Sequence, residues 1–133
     1  MRAKFKNKLS ILLLMLTGMM SNAWAQAAFI PGSSTVEWEL TGAAQNLILT
    51  ISGTGEMPDF AEEPDRPWNN DRLGIRTIIV DDGVTGIGNN AFAYFDNLTS
   101  ITLPNSGLTS IGNKAFTGCS SLTSITLDRK SVV

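Results

Sequence analysis

The chain has 133 residues, enough for one compact domain, with 10 Lys+Arg against 12 Asp+Glu, one Cys and no His. The absence of His removes the commonest general base, the Ser-His-Asp and Cys-His arrangements and the commonest zinc ligand; a single Cys makes neither a zinc site nor an internal disulfide. No cofactor is implied, and the sequence is read as that of a non-enzyme.

In chain order, residues 1–25 read as a secretory signal peptide. Arg2, Lys4, Lys6 and Lys8 give a positive start, Leu9 to Met20 an apolar run, and Ala23-Trp24-Ala25 an A-x-A end, so cleavage is expected after Ala25. The apolar run is about 12 residues, short of the roughly 20 that cross hydrocarbon, which argues against an anchor. No Cys stands near the cleavage point to carry a lipid. Loss of residues 1–25 removes four basic groups and no acids, leaving 6 basic against 12 acidic residues and a net charge of −6. Such a chain has no electrostatic attraction to phosphate backbones or to anionic membrane surfaces.

Residues 26–75 read as a cap. Thr35-Val-Glu-Trp-Glu-Leu40 alternates, with Val36, Trp38 and Leu40 on one face, and Leu47-Ile-Leu-Thr-Ile51 is a second β-rich run. Residues 41–46 join them, which predicts an antiparallel hairpin. Gly53, Gly55, Pro58, Pro64 and Pro67 then break the pattern over a loop, and Trp68 is expected to anchor that loop against the first coil.

Residues 76–133 repeat. Leu98-Thr-Ser-Ile-Thr-Leu103 recurs as Leu122-Thr-Ser-Ile-Thr-Leu127, and Val84-Thr-Gly-Ile-Gly-Asn-Asn-Ala-Phe92 resembles Leu108-Thr-Ser-Ile-Gly-Asn-Lys-Ala-Phe116, both at an offset of 24. Thr77-Ile-Ile-Val80 precedes Ser100-Ile-Thr-Leu103 by 23 residues, the slip falling at the turn Asn105-Ser106-Gly107, where loops absorb insertions. A period of 23 to 24 predicts a leucine-rich-repeat solenoid, mainly β: a right-handed coil of short parallel strands with short helical or 3-10 turns, here about two and a half coils. Leu98, Ile101 and Leu103 should stack on Leu122, Ile125 and Leu127, Ile87 on Ile111, and Phe92 on Phe116. Beyond Leu127 stands only Asp-Arg-Lys-Ser-Val-Val, so an incomplete last coil with an open edge is expected.

These repeats resemble the BspA-type leucine-rich repeats of bacterial surface proteins. The resemblance rests on Leu98-Thr-Ser-Ile-Thr-Leu-Pro104, on Leu108 to Leu122, and on Asp82-Gly-Val-Thr-Gly-Ile-Gly-Asn-Asn-Ala-Phe92. The cap adds Trp38-Glu-Leu40, Leu49-Thr-Ile-Ser-Gly-Thr-Gly-Glu-Met-Pro58 and Pro67-Trp68. It implies a secreted or surface-displayed protein without catalytic residues, some relatives being adhesins for host matrix proteins or other bacteria. Cys119 matches the family's repeat cysteine. Relatives usually carry more repeats and often a C-terminal sorting domain, and this sequence has neither.

Other motifs yield to plainer readings. Gly86-Ile-Gly-Asn-Asn-Ala91 imitates a dinucleotide fingerprint, but no long helix follows, no acid stands about 20 residues on, and its second copy begins with Ser110. Asp59, Glu62, Glu63, Asp65 and Asp71 lack calcium-loop spacing and read, with Arg66 and Arg72, as a solvated loop. Asp81-Asp82-Gly83 reads as a turn. Cys119 reads as a small buried side chain. The candidate partner-binding residues lie between the inward ones: Thr77, Ser100 and Ser124 form one outward ladder, and Ile79, Thr102 and Thr126 the next. The functional expectation is an exported, adhesin-like protein that binds a protein ligand, at the cell surface or outside it, with the periplasm as the other exported location. The alternative is a structural part or truncated remnant of a larger repeat protein.

Overall fold

The computed structural model describes residues 25–31, 33 and 35–127. Nearly all of the expected leader and the tail after Leu127 lie outside the described residues. Among the described residues no helix is long and apolar enough to cross a membrane.

Among the described residues nine strands form two sheets. The larger contains β1 (Ala25–Phe29), β2 (Val36–Ala43), β3 (Asn46–Gly53), β5 (Ile75–Val80), β7 (Ser100–Leu103) and β9 (Ser124–Leu127), neighbours in that order. The smaller contains β4 (Gly55–Glu56), β6 (Val84–Ile87) and β8 (Ser110–Ile111). β2 and β3 form the expected antiparallel hairpin, with Leu40 opposite Leu49 and Trp38 opposite Ile51. Every pairing from β3 onward is parallel, as the solenoid reading requires.

The repeat ladders stand where the offsets put them. Ile78 pairs with Ile101 and Ile101 with Ile125, while Ile87 pairs with Ile111. Inward side chains of both sheets, among them Leu49, Ile51, Ile78, Val84 and Ile101, are fully buried in one core together with Leu98, which precedes β7. Burial falls toward the last coil: Ile101 is 0% exposed, its copy Ile125 60%.

Two features differ from the sequence reading. First, the cap loop is not simply irregular. β4 pairs in parallel with β6, so β3, β4 and the loop behind them already trace a coil beneath the first repeat. A third strand, β1, also pairs antiparallel with β2 ahead of the hairpin. Second, residues 89–94 and 113–118 are turns, not 3-10 helix. Each opens with an i→i−3 hydrogen bond (Ala91 N–H to Gly88 O and Ala115 N–H to Gly112 O, both 3.3 Å) that closes around a left-handed residue, Asn90 (φ 61°) or Lys114 (φ 59°), a conformation a 3-10 helix does not contain. The 3-10 turns sit in the cap loop at Glu63–Asp65 and Asn69–Asp71.

Threonine and asparagine side chains stitch coil to coil. Thr99 Oγ1 donates to Arg76 O (3.1 Å), Thr123 Oγ1 to Thr99 O (3.2 Å) and Thr109 Oγ1 to Thr85 O (3.1 Å). Asn89 N–H donates to Asp59 Oδ1 (2.8 Å), and Asn113 N–H to Asn89 Oδ1 (2.6 Å), so one position runs through three coils. Each threonine also donates its backbone N–H to the same carbonyl, so the hydroxyls add a second bond at these rungs.

Candidate functional site

The outer face of the larger sheet is the candidate binding surface. Thr77 pairs with Ser100 and Ser100 with Ser124; Ile79 pairs with Thr102 and Thr102 with Thr126. The structure therefore brings all six sequence-predicted residues together in two adjacent rows. Thr77, Ile79, Ser100 and Thr102 are half-buried, while Ser124 and Thr126 at the sheet edge are exposed.

The rows do not stop at the first repeat. Ile48 pairs with Thr77 and Thr50 with Ile79, and beyond them Thr41 pairs with Ile48 and Glu39 with Thr50. Sequence reasoning missed this half of the face, although the alternation of Leu47, Leu49 and Ile51 already turns Ile48 and Thr50 outward. What it lacked was the fact that β3 is itself a rung of the parallel ladder. At about 4.8 Å per strand, the six-stranded sheet is roughly 24 Å wide. From β3 to β9 the rows carry small hydroxyls and isoleucines; acidic groups enter on β2.

Order of this kind, with one small side chain per coil at each rung, belongs to repeat arrays. The family model described as BspA type leucine rich repeat region (6 copies) matches residues 70–132. The repeat region belongs to the BspA-type leucine-rich-repeat family. Among solved structures, a leucine-rich repeat protein from Eubacterium ventriosum is similar at 36% identity, with a TM-score of 0.67, over 78% of this chain and 27% of that one. This chain therefore spans about a quarter of the length of that protein. No curated protein matches the chain.

The BspA-type repeat accounts for the motifs that imitated other chemistry. A Cβ on Gly88 would strike Pro58 O, and one on Gly112 would strike Asn89, so these glycines permit close stacking of coils. Asp82-Gly83 is a turn, with Gly83 at φ 100° and Val84 N–H donating to Asp81 O (3.3 Å). Cys119 packs on the core, and its thiol donates to Phe92 O at 3.2 Å. Burial pushes that thiol above its usual range, which keeps it protonated and unreactive at neutral pH.

The cap loop corrects one expectation. Asp59 binds the Asn89 N–H and Asp65 caps its own turn by accepting from Glu62 N–H (3.1 Å). Among the described residues no three His, Cys, Asp or Glu side chains converge as metal ligands. Arg66, however, is not a solvated partner of these acids. It is 2% exposed and donates to Glu63 O (Nε, 2.9 Å), Asn90 O and Ala93 O (Nη1, 2.9 and 2.8 Å) and Asn69 Oδ1 (Nη2, 2.7 Å), with its guanidinium 5.3 Å from the Phe95 ring centroid. Desolvation lowers its pKa to about 10, so it stays cationic at neutral pH. Arg66 thus ties the cap loop to the turn of the first coil.

Proposed function

We propose that the protein is an exported, adhesin-like module that binds another protein at the cell surface or outside it. The observation that carries this reading is the uninterrupted outward face from β3 to β9, built of Ile48, Thr50, Thr77, Ile79, Ser100, Thr102, Ser124 and Thr126. Leucine-rich-repeat domains typically mediate protein–protein contact, solenoid faces suit extended partners, and the leader pattern supports export. The face is small: roughly 14 Å by four or five residues falls short of the roughly 800 Å² per partner of a standard interface. Micromolar or weaker affinity is therefore the expectation. Immobilised protein should give saturable binding to a member of a panel of matrix proteins and bacterial surfaces. Thr50→Lys with Thr102→Lys should weaken it at least about tenfold while leaving the thermal melt unchanged, because both side chains are peripheral to the core. Absence of saturable binding across the panel, or full binding by the double variant, would sink the reading.

A second reading is favoured by the last coil, where Ile111, Ile125 and Leu127 are 51%, 60% and 49% exposed. In it the chain serves as the first unit of a longer repeat array and has no binding activity of its own. Joining a copy of residues 104–127 after Leu127 should then cover these side chains. The gain expected is about 2–3 kcal/mol, with Tm rising on the order of 10 °C. An unchanged Tm would count against stacking of a further coil.

A further inference from the structure

A cleft of about 230 Å³ opens where the cap loop meets the first coil, lined by Glu63, Pro64, Arg66, Asn69, Arg72 and Tyr94. At about 30 Å³ per water, it has room for several waters or one small organic group. Two guanidiniums share its wall. Arg66 uses four of its five N–H donors, and each ends on a carbonyl or amide oxygen. Arg72 makes one long bond, from Nη1 to Asn69 O at 3.4 Å. Every hydrogen bond of either arginine among the described residues thus ends on a neutral oxygen. Arg72 also lies close enough to disfavour the charge on Arg66, with Glu63 acting in the opposite sense. Two cations that hydrogen-bond only neutral oxygens among the described residues, with Glu63 alone beside them on the cleft wall, call for an anion.

The size and shape narrow the choice. A guanidinium fork matches a planar carboxylate with two parallel bonds. Glu63 on the same wall repels a doubly charged group more than a singly charged one. Pro64 and the ring of Tyr94, which is 47% exposed, offer apolar surface for the carbon stem behind such a group.

We propose that this cleft binds a single carboxylate, the Asp or Glu side chain or the chain terminus of a protein partner, through Arg72 with Asn69 and Tyr94 beside it. The site rests on the protein-binding reading and adds a second contact point, separate from the strand face. N-acetylglycine, a monovalent carboxylate resembling a chain terminus, is the probe. Added to the full ¹⁵N-labelled chain at constant ionic strength, it should shift the amide resonances of Asn69, Arg72 and Tyr94 along a saturating curve, with a Kd on the order of 1 mM. Arg72→Gln should weaken it at least about tenfold with an unchanged urea midpoint, since the side chain has a single 3.4 Å bond to lose. The strand-face variant Thr50→Lys/Thr102→Lys should titrate as the native chain does, so failure at the cleft and failure at the face are told apart. The proposal is overturned if the shifts do not saturate, if sodium chloride alone reproduces them, if Arg72→Gln binds as well, or if inorganic phosphate binds equally or more tightly.

Discussion

Replacing Arg66 with Met is expected to destabilise the protein by about 3–5 kcal/mol, more than any other single polar substitution in the described chain. Met keeps most of the apolar stem but removes all four donated bonds. Ala93 O then loses its buried charged donor, and Asn90 O keeps only a long bond of 3.5 Å from Ala93 N–H. Unsatisfied buried acceptors cost about 1–3 kcal/mol each, and the bonds lost come from a charged donor. The charge itself works the other way. Burial disfavours the cation, as its lowered pKa records, and Met relieves that cost. The bonds outweigh it because one guanidinium joins the loop at Glu63 and Asn69 to the turn at Asn90 and Ala93. Arg66→Lys should recover less than half of the loss, since an ammonium cannot span four acceptors in a fork. Urea unfolding followed by tryptophan fluorescence measures both. A midpoint for Arg66→Met within error of the native chain would show that water replaces the guanidinium without penalty.

Arg66 also marks where the sequence stopped being legible. The repeats could be read because each coil restates the last: Ile101 and Ile125, Ile87 and Ile111, and Phe92 and Phe116 announce their partners by an offset of 24. The outward rows followed from the same arithmetic, since residues between inward ones on a strand must point away. The cap loop has no second copy. Among Asp59, Glu62, Glu63, Asp65 and Asp71, an arginine looks like a counter-ion to exposed acids. Its real partners are main-chain oxygens 24 and 27 residues away, and composition carries no trace of them. A signal did exist for the turns. Asn90 and Tyr94 stand one repeat before Lys114 and Gly118, and all four have positive φ. A glycine at one copy of a position says that its other copy needs the same backbone, so Tyr94 could have been marked as a left-handed residue from Gly118 alone. The same comparison explains β3: it belongs to the parallel ladder without resembling a repeat, because the antiparallel β2 covers its other edge and relieves it of the repeat's sequence.

The second large effect is expected at Trp68, where Ala should cost about 4–5 kcal/mol. The side chain is fully buried and sits at the centre of the aromatic cluster. Trp38, Phe60 and Phe92 have ring centroids 6.0, 5.7 and 5.9 Å from it, the first two edge-on and the third stacked. Its Nε1–H donates to Ala91 O at 3.0 Å, one repeat length from the indole's own position. Removing it opens a cavity between the cap and the first coil and orphans that carbonyl, and Trp→Ala changes of this kind cost about 3–5 kcal/mol before the lost hydrogen bond is counted. A domain of this size holds about 5–15 kcal/mol in all, so Trp68→Ala leaves it marginal or unfolded at 37 °C. Trp68→Phe separates the two contributions: it keeps much of the ring packing, loses the bond, and should cost about 1–3 kcal/mol. In a stacked array a loss at the first interface is felt by every later coil, since each is stabilised mainly by its neighbour. Trp68→Ala should therefore abolish amide-exchange protection at Ile101 as well as at Ile78, although only the second lies in the strand next to the cap. Ile125→Ala, at a side chain already 60% exposed, should leave both protected. If protection at Ile101 survived in Trp68→Ala, the repeats would be folding on their own, and the aromatic cluster would serve only to hold the cap against a solenoid that does not need it.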